Sequence, residues 1–92
     1  MSEQKTIDST EQLTFSDNRH VAALCGVVDS HLIAVENALG VRIDPRGNRL
    51  SVTGPAGARG RARRVLEELY RRIESGETLA LADVQAATGL AD

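Results

Sequence analysis

The sequence has few of the side chains on which large cores and covalent cross-links depend. Its 92 residues include two aromatic side chains, Phe15 and Tyr70, and a single cysteine. The lone Cys25 cannot form an internal disulfide, and no basic N-terminal start precedes an apolar run, so nothing indicates secretion. No apolar run approaches the ~18 residues of a membrane span. We therefore expect one small cytoplasmic domain without membrane contact, with a core of Leu, Val, Ile and Ala.

Motifs for catalysis and for metal binding are also missing. The glycine-rich stretch 54–60 lacks the lysine and hydroxyl of a phosphate-binding P-loop, so we expect no nucleotide hydrolysis by this chain. His20, His31 and Cys25 are too few for a closed metal site, and both histidines are interpreted as solvated helix residues. Cys25 falls on the apolar side of its predicted helix, as expected of a small buried side chain. We predict no catalytic residue and no metal ligand.

The charges are unevenly distributed, although the net charge is only −2. The segment 42–72 has nine arginines against three acids, a net charge of +6, whereas the rest has two bases against ten acids, a net charge of −8. Arginine binds phosphate and carboxylate in a two-pronged geometry. We therefore predict a basic side and an acidic side. The alternative explanation for the many arginines is genome composition, since a GC-rich genome encodes arginine where others encode lysine.

Alternating and helical patterns predict the first five elements. A strand is expected over 12–16, and a hairpin over 41–53 with its turn at 45–48. Between them lie two short helices. Asp17 or Asn18 is expected to cap the first, which Gly26 ends in a left-handed conformation. Asp29 or Ser30 is expected to cap the second.

A longer helix over 58–73 is the clearest element, because its apolar residues recur at spacings of three and four over four turns. Pro55 is expected in its first turn. The domain boundaries predicted from these patterns are a disordered tail over 1–11, a folded domain over 12–76, and a linker or short helix over 77–92 that leads to a further domain.

The predicted order β-α-α-β-β-α is that of the type I KH fold, an α+β fold with a three-stranded sheet covered on one face by helices. KH domains hold the RNA backbone with a Gly-x-x-Gly loop between the first two helices. Here that loop is Gly26-Val27-Val28-Asp29. Asp29 replaces the second glycine, and its carboxylate is expected to occupy helix amides that would otherwise bind phosphate. We therefore expect weak phosphate binding at this loop.

Six short strings, in this order and spacing, resemble the N-terminal domain of the PhoH-like family of bacterial P-loop ATPases. They are Leu13-Thr-Phe-Ser-Asp-Asn, Leu24-Cys-Gly-Val-Val-Asp-Ser-His-Leu, Val35-Glu-Asn-Ala-Leu-Gly-Val, Arg46-Gly-Asn-Arg-Leu-Ser-Val-Thr-Gly, Val65-Leu-Glu-Glu-Leu-Tyr and Asp83-Val. The resemblance extends over about residues 12–88. It implies a KH-like domain that precedes a larger ATPase domain, in which ATP and Mg would bind. It also implies an RNA-linked role and an rRNA-maturing endoribonuclease as a partner.

Two functions are consistent with these features, and a purely structural spacer is a third alternative. The first is single-stranded RNA binding, in a cleft between the 26–29 loop and the second strand, by Gly26, Val27, Val28, Asp29, Arg42, Arg46, Asn48 and Arg49. The second is protein assembly through the last helix, with its own C-terminal ATPase domain, a second subunit in a homo-oligomer, or another acidic partner. The residues assigned to that surface are Arg59, Arg63, Arg64 and Arg71.

Overall fold

Three antiparallel strands and four α-helices make up the part of the chain that the computed structural model describes, residues 9–90. The predicted α+β class is confirmed. The elements are β1 (Ser9–Thr14), α1 (Asn18–Cys25), α2 (Ser30–Leu39), β2 (Arg42–Arg46), β3 (Arg49–Gly54), α3 (Ala56–Glu74) and α4 (Leu81–Leu90). One turn of 3₁₀ helix, Val27–Asp29, joins α1 to α2.

The sheet has the order β1-β3-β2, so β3 is central and the other two strands are edges. Because alternate side chains of a strand point to opposite faces, the register separates an apolar face from a polar one. Leu13, Ile43, Leu50 and Val52 are buried against the helices. The opposite face, which we call the open face, has only polar side chains: Thr10, Gln12, Thr14, Arg42, Asp44, Arg46, Arg49, Ser51 and Thr53.

The two aromatic side chains join α3 to the segment that follows β1. The rings of Phe15 and Tyr70 stack with their centroids 4.4 Å apart. The Tyr70 hydroxyl accepts a hydrogen bond from the backbone N–H of Asp17 at 3.0 Å. The apolar stripe of α3 is buried as its spacing predicts, and the helix extends slightly beyond the predicted bounds at both ends.

The predicted cap of α1 is confirmed, whereas that of α2 is wrong. The Asp17 carboxylate accepts the backbone N–H of Arg19 at 2.8 Å and also pairs with the Arg19 guanidinium. These bonds lower the pKa of Asp17 to about 2. Asp29 instead has left-handed backbone angles and its side chain makes no capping hydrogen bond. Its carboxylate therefore does not occupy the first amides of α2.

The first strand and the hairpin turn differ from the predictions by a few residues. β1 starts at Ser9, so residues 9–11, which were predicted to be disordered, pair with β3. Residues 1–8 of that predicted tail lie outside the described residues. β2 continues through Pro45 and Arg46, and the loop is only Gly47 and Asn48, with Gly47 at φ +61°. Pro45 is accommodated because β2 is an edge strand and needs no donor on its outer side.

The segment predicted to be a linker or short helix contains α4, which packs into the domain. Val84 is fully buried, and Leu79 and Ala87 pack against the same core. Gly89 lies within this helix and does not end it. Arg72 joins the segment to α3, because its guanidinium bonds Glu77 at 2.9 Å and lies 3.6 Å from Asp83. The hydrogen bond with Glu77 raises the pKa of Arg72.

No single helix among residues 9–90 is long and apolar enough to cross a bilayer. Helix α1 together with residues 27–39 meets the length and composition criteria only as a pair bent by 43°. The large apolar side chains of this pair lie mainly in the core.

Candidate functional site

The open face brings together three of the residues predicted to contact nucleic acid, Arg42, Arg46 and Arg49. Arg46 lies opposite Arg49 across the hairpin, and Arg42 lies two residues further along β2, opposite Thr53. All three arginines are exposed. Asp44 is the one acid among the open-face residues, and hydroxyl and amide side chains fill the remaining positions. The hydroxyl oxygens of Thr10 and Thr53 are 2.8 Å apart. The face therefore offers three cations, one carboxylate and neutral hydrogen-bonding groups, but no aromatic ring for base stacking.

Two of these three arginines have no ion-pair partner among the described residues. Arg46 lies 3.4 Å from the carboxylate of Asp44, whereas Arg42 and Arg49 make no ion pair within residues 9–90. Two shallow depressions flank Asp44, one of about 460 Å³ beside Arg42 and one of about 270 Å³ between Arg46 and Arg49. An anion with several oxygens could therefore contact these cations without displacing an internal ion pair from Arg42 or Arg49.

Asn48 has a structural role in the hairpin. Its side-chain amide donates to the backbone carbonyl of Phe15 at 2.8 Å, and the backbone carbonyl of Asn48 accepts the Phe15 N–H at 2.8 Å. Both bonds extend the β1–β3 pairing past the end of β1. The side chain is half-buried, so it holds the hairpin against β1 and is not free to bind a ligand.

The 26–29 loop does not share a surface with the three arginines. It joins α1 to α2 in the helical layer, on the side of the sheet opposite to the open face. Gly26 has φ 79° and ψ 177°, which is not the predicted left-handed helical conformation but is likewise accessible mainly to glycine. A Cβ at this position would lie 2.7 Å from the His31 ring. Gly26 is thus required for packing between α1 and α2.

The tip of this loop is exposed, apolar and strained. The exposed fractions of Val27 and Val28 are 82% and 87%. Val28 and Asp29 both have positive φ, 52° and 58°, although neither is glycine. A β-branched residue is a real outlier in this region. An open groove of about 590 Å³ lies beside Val27 and is lined by Ala22, Ala23 and the 77–81 segment.

The groups considered for nucleophilic or metal chemistry are packed inside the fold. Cys25 is buried as predicted, and burial together with the Asp29 charge raises the pKa of its thiol. The prediction that both histidines are solvated is wrong. His31 is buried and its Nδ1–H donates to the Leu24 carbonyl at 3.2 Å, while His20 is half-buried with its ring edge-on to Tyr70. No cluster of three potential metal ligands exists among the described residues.

Most of the arginines assigned to an assembly surface on α3 are bound to acids of the same chain. Arg63 lies 3.2 Å from one carboxylate oxygen of Glu11, and Arg59 lies 3.8 Å from the other. Arg59 also donates to the carbonyl of Gly54 at 2.9 Å, which joins α3 to β3. Arg71 pairs with Glu68 at 2.7 Å. Acidic side chains from outside the segment 42–72 thus contact arginines within it. The positive and negative charges are therefore less separated in space than along the sequence.

Arg64 differs from the other three, because it is exposed and makes no ion pair within residues 9–90. It borders an open groove of about 500 Å³ between α3 and α4, lined also by Val65, Arg72 and Asp83. Of the assembly residues predicted from sequence, Arg64 alone remains an available cation in the described part of the chain.

Sequence reasoning missed two acids that decide which surfaces are available. Glu36 on α2 accepts the backbone N–H of Ile43 at 2.7 Å, and Glu11 on β1 pairs with two arginines of α3. Glu11 and its partners are about fifty residues apart, and no local pattern in the sequence signals such contacts. No model of a known protein family matches this sequence, and comparison with curated proteins finds no similar one.

Proposed function

We propose that this chain is a noncatalytic accessory domain that contacts RNA through its open face. The observation that carries the proposal is the convergence of Arg42, Arg46 and Arg49 on one exposed face, two of them without an ion pair among residues 9–90. Because no aromatic side chain lies on this face, the contacts would be with phosphates and riboses rather than with stacked bases. Binding would therefore depend on strand length and salt more than on base sequence.

The resemblance to the N-terminal domain of PhoH-like ATPases supports an accessory role. In that arrangement this domain is KH-like, and ATP hydrolysis belongs to a following domain that binds ATP and Mg. The observed element order, with α1 and α2 joined at Gly26, is compatible with a KH-like fold. RNA contact by the present chain would then position a substrate for that domain or for a partner endoribonuclease.

The proposal is tested by titrating a fluorescein-labelled twelve-nucleotide single-stranded RNA at 20–200 mM salt. Three phosphate contacts predict a slope of log K against log [salt] of about −2 for a single strand. Replacing Arg42, Arg46 and Arg49 together with glutamine is expected to reduce this slope to near zero and to lower the affinity at 20 mM salt by about 100-fold or more, because a slope of about −2 corresponds to a 100-fold change in affinity between 20 and 200 mM.

The matched control for this triple variant is Arg64→Gln, because Arg64 is also exposed and unpaired in the described chain but lies on α3. Its RNA affinity should remain within about twofold of the unsubstituted protein. Equal losses in the two variants, or no binding by the unsubstituted protein at 100 µM in 20 mM salt, would contradict the assignment to the open face.

Protein assembly is the second candidate, favoured by the guanidinium of Arg64, which borders the α3–α4 groove and makes no ion pair within the described part of the chain. An acidic segment of an adjoining domain or another subunit could pair with it there. Arg64→Glu would then weaken that association, as measured by sedimentation of the full-length protein. Its RNA affinity, measured by the titration described above, would be nearly unchanged. Arg63 is unsuitable for this test, because its substitution would also break the contact with Glu11.

A further inference from the structure

The two edges of the sheet differ in how their outward backbone groups are satisfied. In an antiparallel sheet each strand directs alternate N–H and C=O groups toward one neighbour and the rest away from it. Phe15 N–H donates to Asn48 C=O, which sets the phase of the β1–β3 ladder. Leu13 and Glu11 therefore bond to β3, and Thr10, Gln12 and Thr14 direct their backbone groups outward.

The outer edge of β2 is closed. In the same phase, the outward positions of β2 and the residue before it are Val41, Ile43 and Pro45. The N–H of Val41 donates to the Glu36 carbonyl at 3.4 Å, and that of Ile43 donates to the Glu36 carboxylate at 2.7 Å. Pro45 has no N–H. No outward backbone N–H of β2 is therefore left to bond another strand. Natural edge strands are commonly protected from unwanted pairing in this way.

The outer edge of β1 has no such protection. The backbone N–H groups of Thr10, Gln12 and Thr14 have no hydrogen-bond partner among residues 9–90. Their side chains are uncharged, whereas edge strands are usually kept apart by lysine, proline or an inward charge. The strand's one inward charge, Glu11, is paired with Arg59 and Arg63 of the same chain, so another strand could pair with β1 without leaving this carboxylate unpaired.

We infer that β1 is a strand-addition site whose occupant is β1 of a second copy of this chain. A two-fold antiparallel pairing centred on Gln12 places Gln12 opposite its own copy and Thr10 opposite Thr14. This one register pairs all three outward residues of both strands and forms six backbone hydrogen bonds. Facing side chains are then Gln with Gln and Thr with Thr, so no like charges meet on the open face.

The dimer would form one six-stranded sheet with a continuous polar face. Its formation does not require that face to bind RNA. The two copies of β2 would be the outer strands, five strand spacings or about 24 Å apart. Each would present its own group of three arginines. The closed edges of β2 would stop further addition, so the association ends at a dimer rather than a fibre.

Sedimentation equilibrium of the full chain from 10 µM to 1 mM tests this inference. We expect reversible dimerisation within this range. Gln12→Lys, which places two ammonium groups opposite each other at the centre, is expected to weaken dimerisation at least tenfold. Ser51→Lys is the matched control, because Ser51 is the neighbour of Gln12 on the same face but belongs to the central strand. This variant should retain dimerisation within about threefold.

Gln12→Pro gives an independent test, because proline is tolerated at an edge position whose N–H bonds nothing in the monomer. It should keep the far-ultraviolet circular dichroism of the monomer and abolish dimerisation. Amide exchange provides a second readout: the Thr10, Gln12 and Thr14 amides should gain protection as concentration rises, while Ile43 stays protected at all concentrations. A monomer at 1 mM, or a dimer unaffected by both Gln12 variants, would overturn the inference.

Discussion

Replacement of Gly26 by alanine is expected to destabilise the domain by about 3 kcal/mol, which corresponds to a fall in melting temperature of roughly 15 °C. Two effects add. The backbone at φ 79° and ψ 177° is accessible mainly to glycine, and the new Cβ would lie 2.7 Å from the His31 ring. The His31 ring cannot retreat freely, because it is buried and bonded to the Leu24 carbonyl. Urea unfolding followed by circular dichroism measures the loss.

Gly60→Ala is the control for this substitution. Gly60 lies inside α3, and a Cβ there meets nothing nearer than Arg64 at 3.7 Å. Alanine should therefore stabilise α3 by about 0.5–1 kcal/mol. The double variant Gly26→Ala/His31→Ala separates the two effects, since it removes the clash and leaves the backbone strain. If Gly26→Ala has a free energy of unfolding within 0.5 kcal/mol of the original, the close packing of α1 and α2 at this point is incorrect.

Val84→Asp is expected to release α4 from the domain and to lower the free energy of unfolding by about 3 kcal/mol or more. Val84 is fully buried between α4 and the core, and an unpaired carboxylate there would be far from water. The loss cannot exceed the free energy with which α4 docks, because the helix can detach and expose the charge. Circular dichroism should report the loss of about one short helix, and amide exchange over 81–90 should approach the unfolded rate.

Gln85→Asp is the appropriate comparison, because the neighbouring side chain is exposed on the same helix. It introduces an equal charge and should change stability by less than about 0.5 kcal/mol. Equal changes in the free energy of unfolding of Val84→Asp and Gln85→Asp would mean that residues 77–90 act as the linker that their weak hydrophobic pattern indicates.

The contrast between α3 and α4 explains how much of the fold the sequence predicts. In α3 the apolar residues form a stripe over four turns, so local spacing alone identifies the helix and its buried face. In α4 only Val84 and Thr88, four residues apart, are buried among the residues whose side chains are described. Such a small buried face does not stand out from its alanine-rich surroundings. Packing against α2 and α3 is what makes the segment part of the domain.

The candidate site was predicted unevenly. Arg42, Arg46 and Arg49 share a face because strand periodicity and a two-residue loop require it. The expected cleft that combined them with the 26–29 loop is absent from the described structure, since helices and open face lie on opposite sides of the sheet. Asn48 and Gly26, both assigned to RNA, are instead engaged in the packing of the hairpin and of α1 against α2.

The sequence by itself determined which side chains of α3 enter the core, that Asp17 caps α1 and that this helix stops before Gly26, because each depends on spacing or on one residue's conformational preference. Only the tertiary structure decided which cations are free and which strand edge is open. Those properties depend on distances between residues remote in the chain, such as Glu11 from Arg63 and Glu36 from Ile43. Coulombic attraction and hydrogen bonding act over a few ångströms in space, whatever the separation along the chain.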